Sequence, residues 1–336
     1  MNRKQKWTGW ALVLFLIGGL ALSPTKHAKA QARKAPWKLA LHSVSYAGFW
    51  RGQAYLPLDK FLEKAKELGF DAVMLMAKDP HLSILKYDEA ARARLRAKLD
   101  ELGLEVAIIA GYTDFTGGVD HGGIPICEIQ ASYVGQLAKL ARDLGCDKVR
   151  IFTGYYRPGV PYDKQYGMVV RGLKLAAKEA AKYDVTLAVQ NHHDIGNYHD
   201  EMLWLLREVN EPNVKAAFDA WTPTLQGLTS AQLAEAVRKM APYLVHTTVA
   251  DYVRFPRFAY ESELTNFKPL EPIVRAVPIG EGIIDYRTFF QALKDIGYKG
   301  YVAYEMCEVL RGGGSLENLD RTARHFVDYM HNLDLK

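Results

Sequence analysis

Asp219, His246 and Glu305 each stand at or near the end of a short apolar run, and Gln190 ends another in TLAVQNHHD, residues 186–194. Carboxylates and an imidazole brought into one cavity suit either proton transfer or a divalent cation such as Mn²⁺, Mg²⁺, Co²⁺ or Zn²⁺. Gln190, Asp219 and His246 follow one another at intervals of about 30 residues, the length of one strand and its crossover helix. Equivalent strand ends spaced in this way face a common space. The run Gln190, Asn191, His192, His193, Asp194 is costly to bury unless each group finds a partner. His192 and His193 are therefore candidate proton carriers, one chemical and the other structural.

Other polar groups fall at comparable points. His42, His81 and His121, then Tyr155, Tyr156 and Trp221, follow predicted strands, and Arg254 and Arg257 lie in a long segment beyond the seventh. His42, His81, Trp221 and Arg254 are candidate substrate contacts, through hydroxyls, a stacked ring or an anionic group. Each residue type also has an ordinary structural use. Asp and Glu cap helices, a single histidine is often a satisfied core group, and arginines on loops are commonly solvated.

The elements that must position these groups alternate along the chain. Apolar runs such as KLALHSVS, FDAVMLMA, EVAIIAGY, KVRIFTG, LVHTTVAD and YVAYEM read as strands covered on both faces. Amphipathic segments between them, with acids or Thr at their starts and Gly at their ends, read as helices. Eight such units predict a single-domain α/β protein, a (β/α)₈ TIM barrel whose strand C-termini build the site. An open doubly wound sheet is disfavoured because no GxGxxG or phosphate-loop turn follows the early strands. The segment YVRFPRFAYESELTNFKPLEPIVRAVPIGEG is expected to be an irregular lid or rim.

Residues 1–30 have the basic start, apolar run and Ala28-Lys29-Ala30 ending of a secretory signal peptide, predicting cleavage near Ala30 and an exported (periplasmic or secreted) barrel over 31–336. The leader's Arg3, Lys4, Lys6, Lys26 and Lys29 account for the whole formal charge of +5. The basic balance thus gives no reason to expect a nucleic-acid partner, and no later run is long enough to predict stable membrane insertion. Cys127, Cys146 and Cys307 form no CxxC and are expected to be free thiols.

The eight-unit pattern, with FDAW, LVHTTVAD, VPIGEGIIDYRTFFQALKDIGYKGYVAYEM and GGSLENLDRTARHF, resembles the xylose-isomerase-like TIM barrels. These include sugar and sugar-phosphate isomerases and epimerases, inosose dehydratase and, more distantly, endonuclease IV. The resemblance implies a divalent metal held by the last four barrel strands, here Gln190, Asp219, His246 and Glu305. It also implies two carboxylates that move a proton across a planar intermediate. Gln190 departs from that pattern, because an amide adds no charge and accepts no proton at neutral pH. Glu305 is then the expected base, with His192 or His193 in place of the second carboxylate. The resulting expectation is a metal-dependent isomerase or epimerase of a small carbohydrate. A lyase or dehydratase that eliminates β to a keto group is the alternative, as is a carbohydrate-binding relative without catalysis.

Overall fold

A computed structural model describes residues 35–336. The expected signal segment lies outside them. Eight parallel strands close into a barrel: β1 (Leu39–His42), β2 (Ala72–Met76), β3 (Glu105–Ala110), β4 (Lys148–Ile151), β5 (Thr186–Gln190), β6 (Val214–Ala217), β7 (Leu244–Val249) and, last, β10 (Val302–Tyr304). The intervening β8 (Asp251–Glu261) and β9 (Asn266–Val277) form a separate two-stranded sheet.

The helices fall where the amphipathic segments predict them: α1 (Leu58–Glu67), α2 (Glu89–Leu102), α3 (Ile126–Asp143), α4 (Tyr162–Ala181), α5 (His199–Val209), α7 (Ser230–Met240), α8 (Tyr286–Asp295) and α9 (Leu316–His331). A short α6 (Trp221–Leu225) precedes α7. Their ends have local causes. The Asp88 side chain accepts from the Ala91 amide at the start of α2, and Gly103 closes that helix in the left-handed region. Thr229 and Gln232 form a capping box on α7.

Strand parity sorts the side chains into two cores. Leu39, Leu41, Val73, Leu75, Val149, Ile151, Leu187 and Val189 face outward into the main helix-covered core. Ala40, Ala72, Ala107, Ala110, Ala188, Ala217 and Ala303 belong to a second cluster inside the barrel. Small interior residues leave volume that branched residues would fill in an ordinary barrel. Arg150 and His246, 2 % and 0 % exposed, share that interior. All three cysteines are free, as expected.

The segment after β7 is not the irregular lid expected. It is an antiparallel hairpin whose pairing runs from Asp251↔Val277 to Glu261↔Asn266, with a register shift between Phe255 and Arg257, where Pro256 lies. A proline can remain in a two-stranded ribbon because its missing N–H faces no partner strand. Asp251 clamps the base. Its Oδ2 accepts from the Gly280 and Gly282 amides at 2.9 and 3.0 Å, and its Oδ1 from Tyr252 at 2.9 Å. Gly282 is required there, since a Cβ would lie 1.9 Å from Asp251 Oδ1. No helix among the described residues is long and apolar enough to cross a membrane.

Candidate active site at the barrel mouth

Gln190, Asn191, Asp219, His246, Glu305 and His42 are all buried at the C-terminal ends or upper interior of the barrel strands. The first three form one hydrogen-bonded network. Gln190 Nε2 donates to Asp219 Oδ2, and the Thr248 amide donates to Asp219 Oδ1 at 2.6 Å. Asn191 and Asp219 exchange two further bonds: Asn191 Nδ2 donates to the Asp219 carbonyl at 3.0 Å and Asn191 Oδ1 accepts from the Asp219 amide at 2.8 Å. Burial nonetheless pushes the Asp219 carboxyl up to about 7, because these bonds offset only part of the desolvation.

Glu305 is held differently. Cys307 Sγ donates to Oε1 at 3.3 Å, while Oε2 faces His42 Nε2 at 3.9 Å. His42 Nδ1 accepts from the Val44 amide at 3.2 Å, which places the imidazole proton on Nε2, toward Glu305. Burial raises the Glu305 carboxyl above its ordinary range and holds His42 well below its own, so His42 is neutral at physiological pH. Glu305 thus has one oxygen without a hydrogen bond and a raised proton affinity, the properties of an acid–base group.

His192 and His193 lie in an aromatic layer over this interior. His193 stacks on Tyr155 with centroids 4.2 Å apart and packs on Phe152 at 4.1 Å; His192 meets the edge of Trp221 at 4.9 Å. Burial depresses them to about 4 and about 3. Both are therefore neutral near pH 7 and serve as hydrogen-bond partners or weak bases rather than cationic acids.

Two expected substrate contacts have other employment. His81 Nε2 pairs with the Leu56 carbonyl at 2.9 Å and its ring packs between Tyr55 and Phe61, which makes it a buried packing group. Arg254 Nη2 donates to the Leu225 carbonyl at 2.6 Å, tying the hairpin to α6. His121 is exposed beside Asp120. Trp221 is buried, with its ring against His192 and Tyr252.

The expected donor set does not fit a divalent cation. In the β6–β7 pairing, which shifts register between Ala216 and Ala217, Ala217 and not Asp219 is opposite His246. The β7 residue beside Asp219 is Thr248, and the His246 ring lies one inward-facing position deeper. Both of its nitrogens and Gln190 Oε1 lack partners. Among the described residues no group of three His, Cys, Asp or Glu side chains converges as a metal site would require. Asp219 has both oxygens engaged, which leaves Glu305 as the one open carboxylate of the expected four ligands. The positive charges described next also oppose a dication.

Sequence reading passed over two residues here. Arg150, on β4, donates from Nη1 to the Gly111 carbonyl at 2.8 Å, and its guanidinium carbon lies 4.0 Å from the Phe152 ring centroid and 4.9 Å from that of Tyr112. Lys78, just past β2, places Nζ 3.8 Å from the same Tyr112 centroid and 4.7 Å from that of Phe49. The signal for Arg150 was present in KVRI: a basic residue inside a short buried strand, where parity alone decides whether it points in or out.

With this geometry in view, the chain belongs to the xylose isomerase-like TIM barrel family, whose model matches residues 62–328. Solved structures share the fold. A D-psicose 3-epimerase determined in the presence of D-fructose is 19% identical, covers 88% of this chain and 99% of its own, and superposes with a TM-score of 0.67. A D-psicose 3-epimerase with D-tagatose from Clostridium cellulolyticum H10 is 17% identical, covering 89% of this chain and 100% of its own, at 0.68. The probable 3-DHS dehydratase AsbF of Bacillus anthracis is 17% identical, covering 88% and 100%, at 0.65. No curated protein matches the sequence.

Proposed function

We propose that the protein is an isomerase or epimerase of a small carbohydrate carrying a carbonyl group, and that Glu305 exchanges the proton on the adjacent carbon. The observation that carries this reading is the open Oε2 of a buried carboxylate at the end of the last barrel strand, facing a neutral N–H of His42. Family membership supports it, as do structural neighbours named as epimerases of D-psicose, D-allulose and L-ribulose. Removing the proton makes an enolate, and the nearby Arg150 and Lys78 supply a positive field that lowers its energy in a water-poor cavity. The leader sequence supports export, so free sugars, keto-sugars or oxidised glycosides are the substrates to try first.

A second reading, elimination β to the carbonyl, is favoured by one feature. The strand-five position is an amide bonded to Asp219, so a single carboxylate is open, and elimination needs only one base. A neighbour named as a dehydratase has the same fold. The test is incubation of purified protein with ketoses and oxidised glycosides in D₂O, with and without EDTA. Deuterium at the carbon next to the carbonyl with conserved mass marks isomerisation; an unsaturated product marks elimination. A carbohydrate that binds with neither outcome rejects catalysis and leaves a binding protein.

A further inference from the structure

Arg150 presents an unbalanced account of charge. A guanidinium taken out of water needs a carboxylate or several acceptors to hold it. Arg150 is 2 % exposed, its Nε has no partner, and one carbonyl, the Tyr112 hydroxyl and two aromatic faces are its described contacts. Lys78 shares the Tyr112 ring with it and forms no ion pair among the described residues. The acids nearest in sequence to this corner are engaged elsewhere: Asp79 with Lys86 at 2.7 Å, Asp114 with Arg157, and Asp194 with the Tyr156 amide at 2.8 Å. The buried Glu305 and Asp219 carboxylates feel the charge of Arg150 across the mouth, but neither forms an ion pair or hydrogen bond with it among the described residues. Aromatic faces return less to a cation than desolvation of its charge removes.

We propose that Arg150 and Lys78 form an anion site in the barrel mouth, and that the substrate carries a carboxylate or phosphate group which docks there. This rests on the reading of the mouth as the active site and narrows its substrate class. The half-buried Lys78, Tyr112, His192 and His193 are the solvent-facing rim through which such a group reaches Arg150. Burial, together with Arg150, draws the Lys78 ammonium below its ordinary range, as two neighbouring cations without a counter-ion require. The arrangement also accounts for a family barrel in which the expected donors do not assemble around a dication: the positive charge is covalent, and it comes from β2 and β4.

The test is calorimetric binding of matched pairs to the full-length protein: D-glucuronate against D-glucose, and D-fructose 6-phosphate against D-fructose. The charged member of at least one pair binds tenfold or more tightly, and the pair that discriminates tells carboxylate from phosphate. Lys78→Met, at a half-exposed position, reduces that preference to under threefold. Arg150→Met removes it while the melting temperature stays level or rises, because an uncompensated buried cation has gone; a purely structural arginine would lower it. Equal affinity within both pairs, no binding of either anion at millimolar concentration, or an undiminished preference in Lys78→Met overturns the proposal. Deuterium exchange on a neutral ketose without anion preference would sink this inference and spare the catalytic one. Anion preference without exchange on any substrate would do the reverse.

Discussion

On the β5–β6–β7 side of the mouth, Asp219 accepts from Gln190 and from the Thr248 amide and is bound on both backbone faces by Asn191. On the β2–β4 side, Arg150 and Lys78 lie against aromatic rings and form no ion pair among the described residues, although the field of Arg150 reaches Glu305. Both sides bury ionisable groups, yet on one the carboxylate is fully engaged, with only the neutral Gln190 Oε1 and His246 nitrogens unpartnered, while on the other the cations are open. An engaged carboxylate fixes geometry and has little charge left to offer a ligand; an open charge retains its interaction energy for one. Glu305, with one oxygen held and one free, belongs functionally to the open side.

The largest effect that separates the sides is catalytic. Glu305→Gln should lower α-proton exchange by about 10²–10⁴-fold, the usual contribution of a positioned acid–base group. Asp219→Asn should lower it by less than tenfold, measured by deuterium incorporation on the same substrate; comparable losses would erase the distinction drawn here. Stability should divide in the opposite sense. Asp219→Ala strands the Gln190 amide and the Thr248 N–H, at about 1–3 kcal/mol each, so urea unfolding should show a loss of about 2–5 kcal/mol.

The pH dependence of stability sharpens the contrast. Native Asp219 keeps its proton up to about 7, against an ordinary 3.8, so its contribution favours the folded state at low pH and fades as pH rises through that window. His42, His192, His193 and His246 act with the other sign. Folding holds them neutral, so stability is lost as pH falls below their ordinary 6.5. Wild-type unfolding free energy should therefore fall on acidification from pH 6.5, and Asp219→Asn should make that fall steeper, by up to about 1.4 kcal/mol per pH unit. An unchanged fall in the variant would show that Asp219 is ionised in the native state.

The smallest expected effect concerns metal. EDTA or millimolar Mn²⁺ should shift the urea midpoint of the wild type by no more than about 0.5 kcal/mol, whereas a ligand bound at 100 times its Kd adds about 2.7 kcal/mol. The double variant Gln190→Glu, Thr248→His, which restores charge on β5 and puts an imidazole beside Asp219, should acquire a Mn²⁺-dependent midpoint. Stabilisation of the wild type by Mn²⁺ would reinstate the four-ligand site.

The barrel was legible in the sequence because its causes are local. Aliphatic parity, caps such as Asp88 and Thr229, and left-handed Gly103 act over a few residues and leave a pattern in the chain. The hairpin of β8 and β9 was hidden, since Pro256, Pro269 and Pro272 disguise strands that tolerate them only because they form an isolated pair. Spacing likewise marked Asp219, and the end of the run YVAYEM marked Glu305, as strand-end groups.

Depth and partnership were decided elsewhere. In the β6–β7 pairing, with its shift between Ala216 and Ala217, His246 lies below Asp219 and Thr248 beside it, and interval counting along one chain does not register a slip between two strands. Whether the arginine of KVRI meets water, an acid or the ring of Tyr112 depends on strand closure and on alanines contributed by the other strands. The sequence by itself determined which groups the barrel would carry inside. Only the tertiary structure decided which of them are satisfied, because a buried charge is compensated by residues distant in the chain.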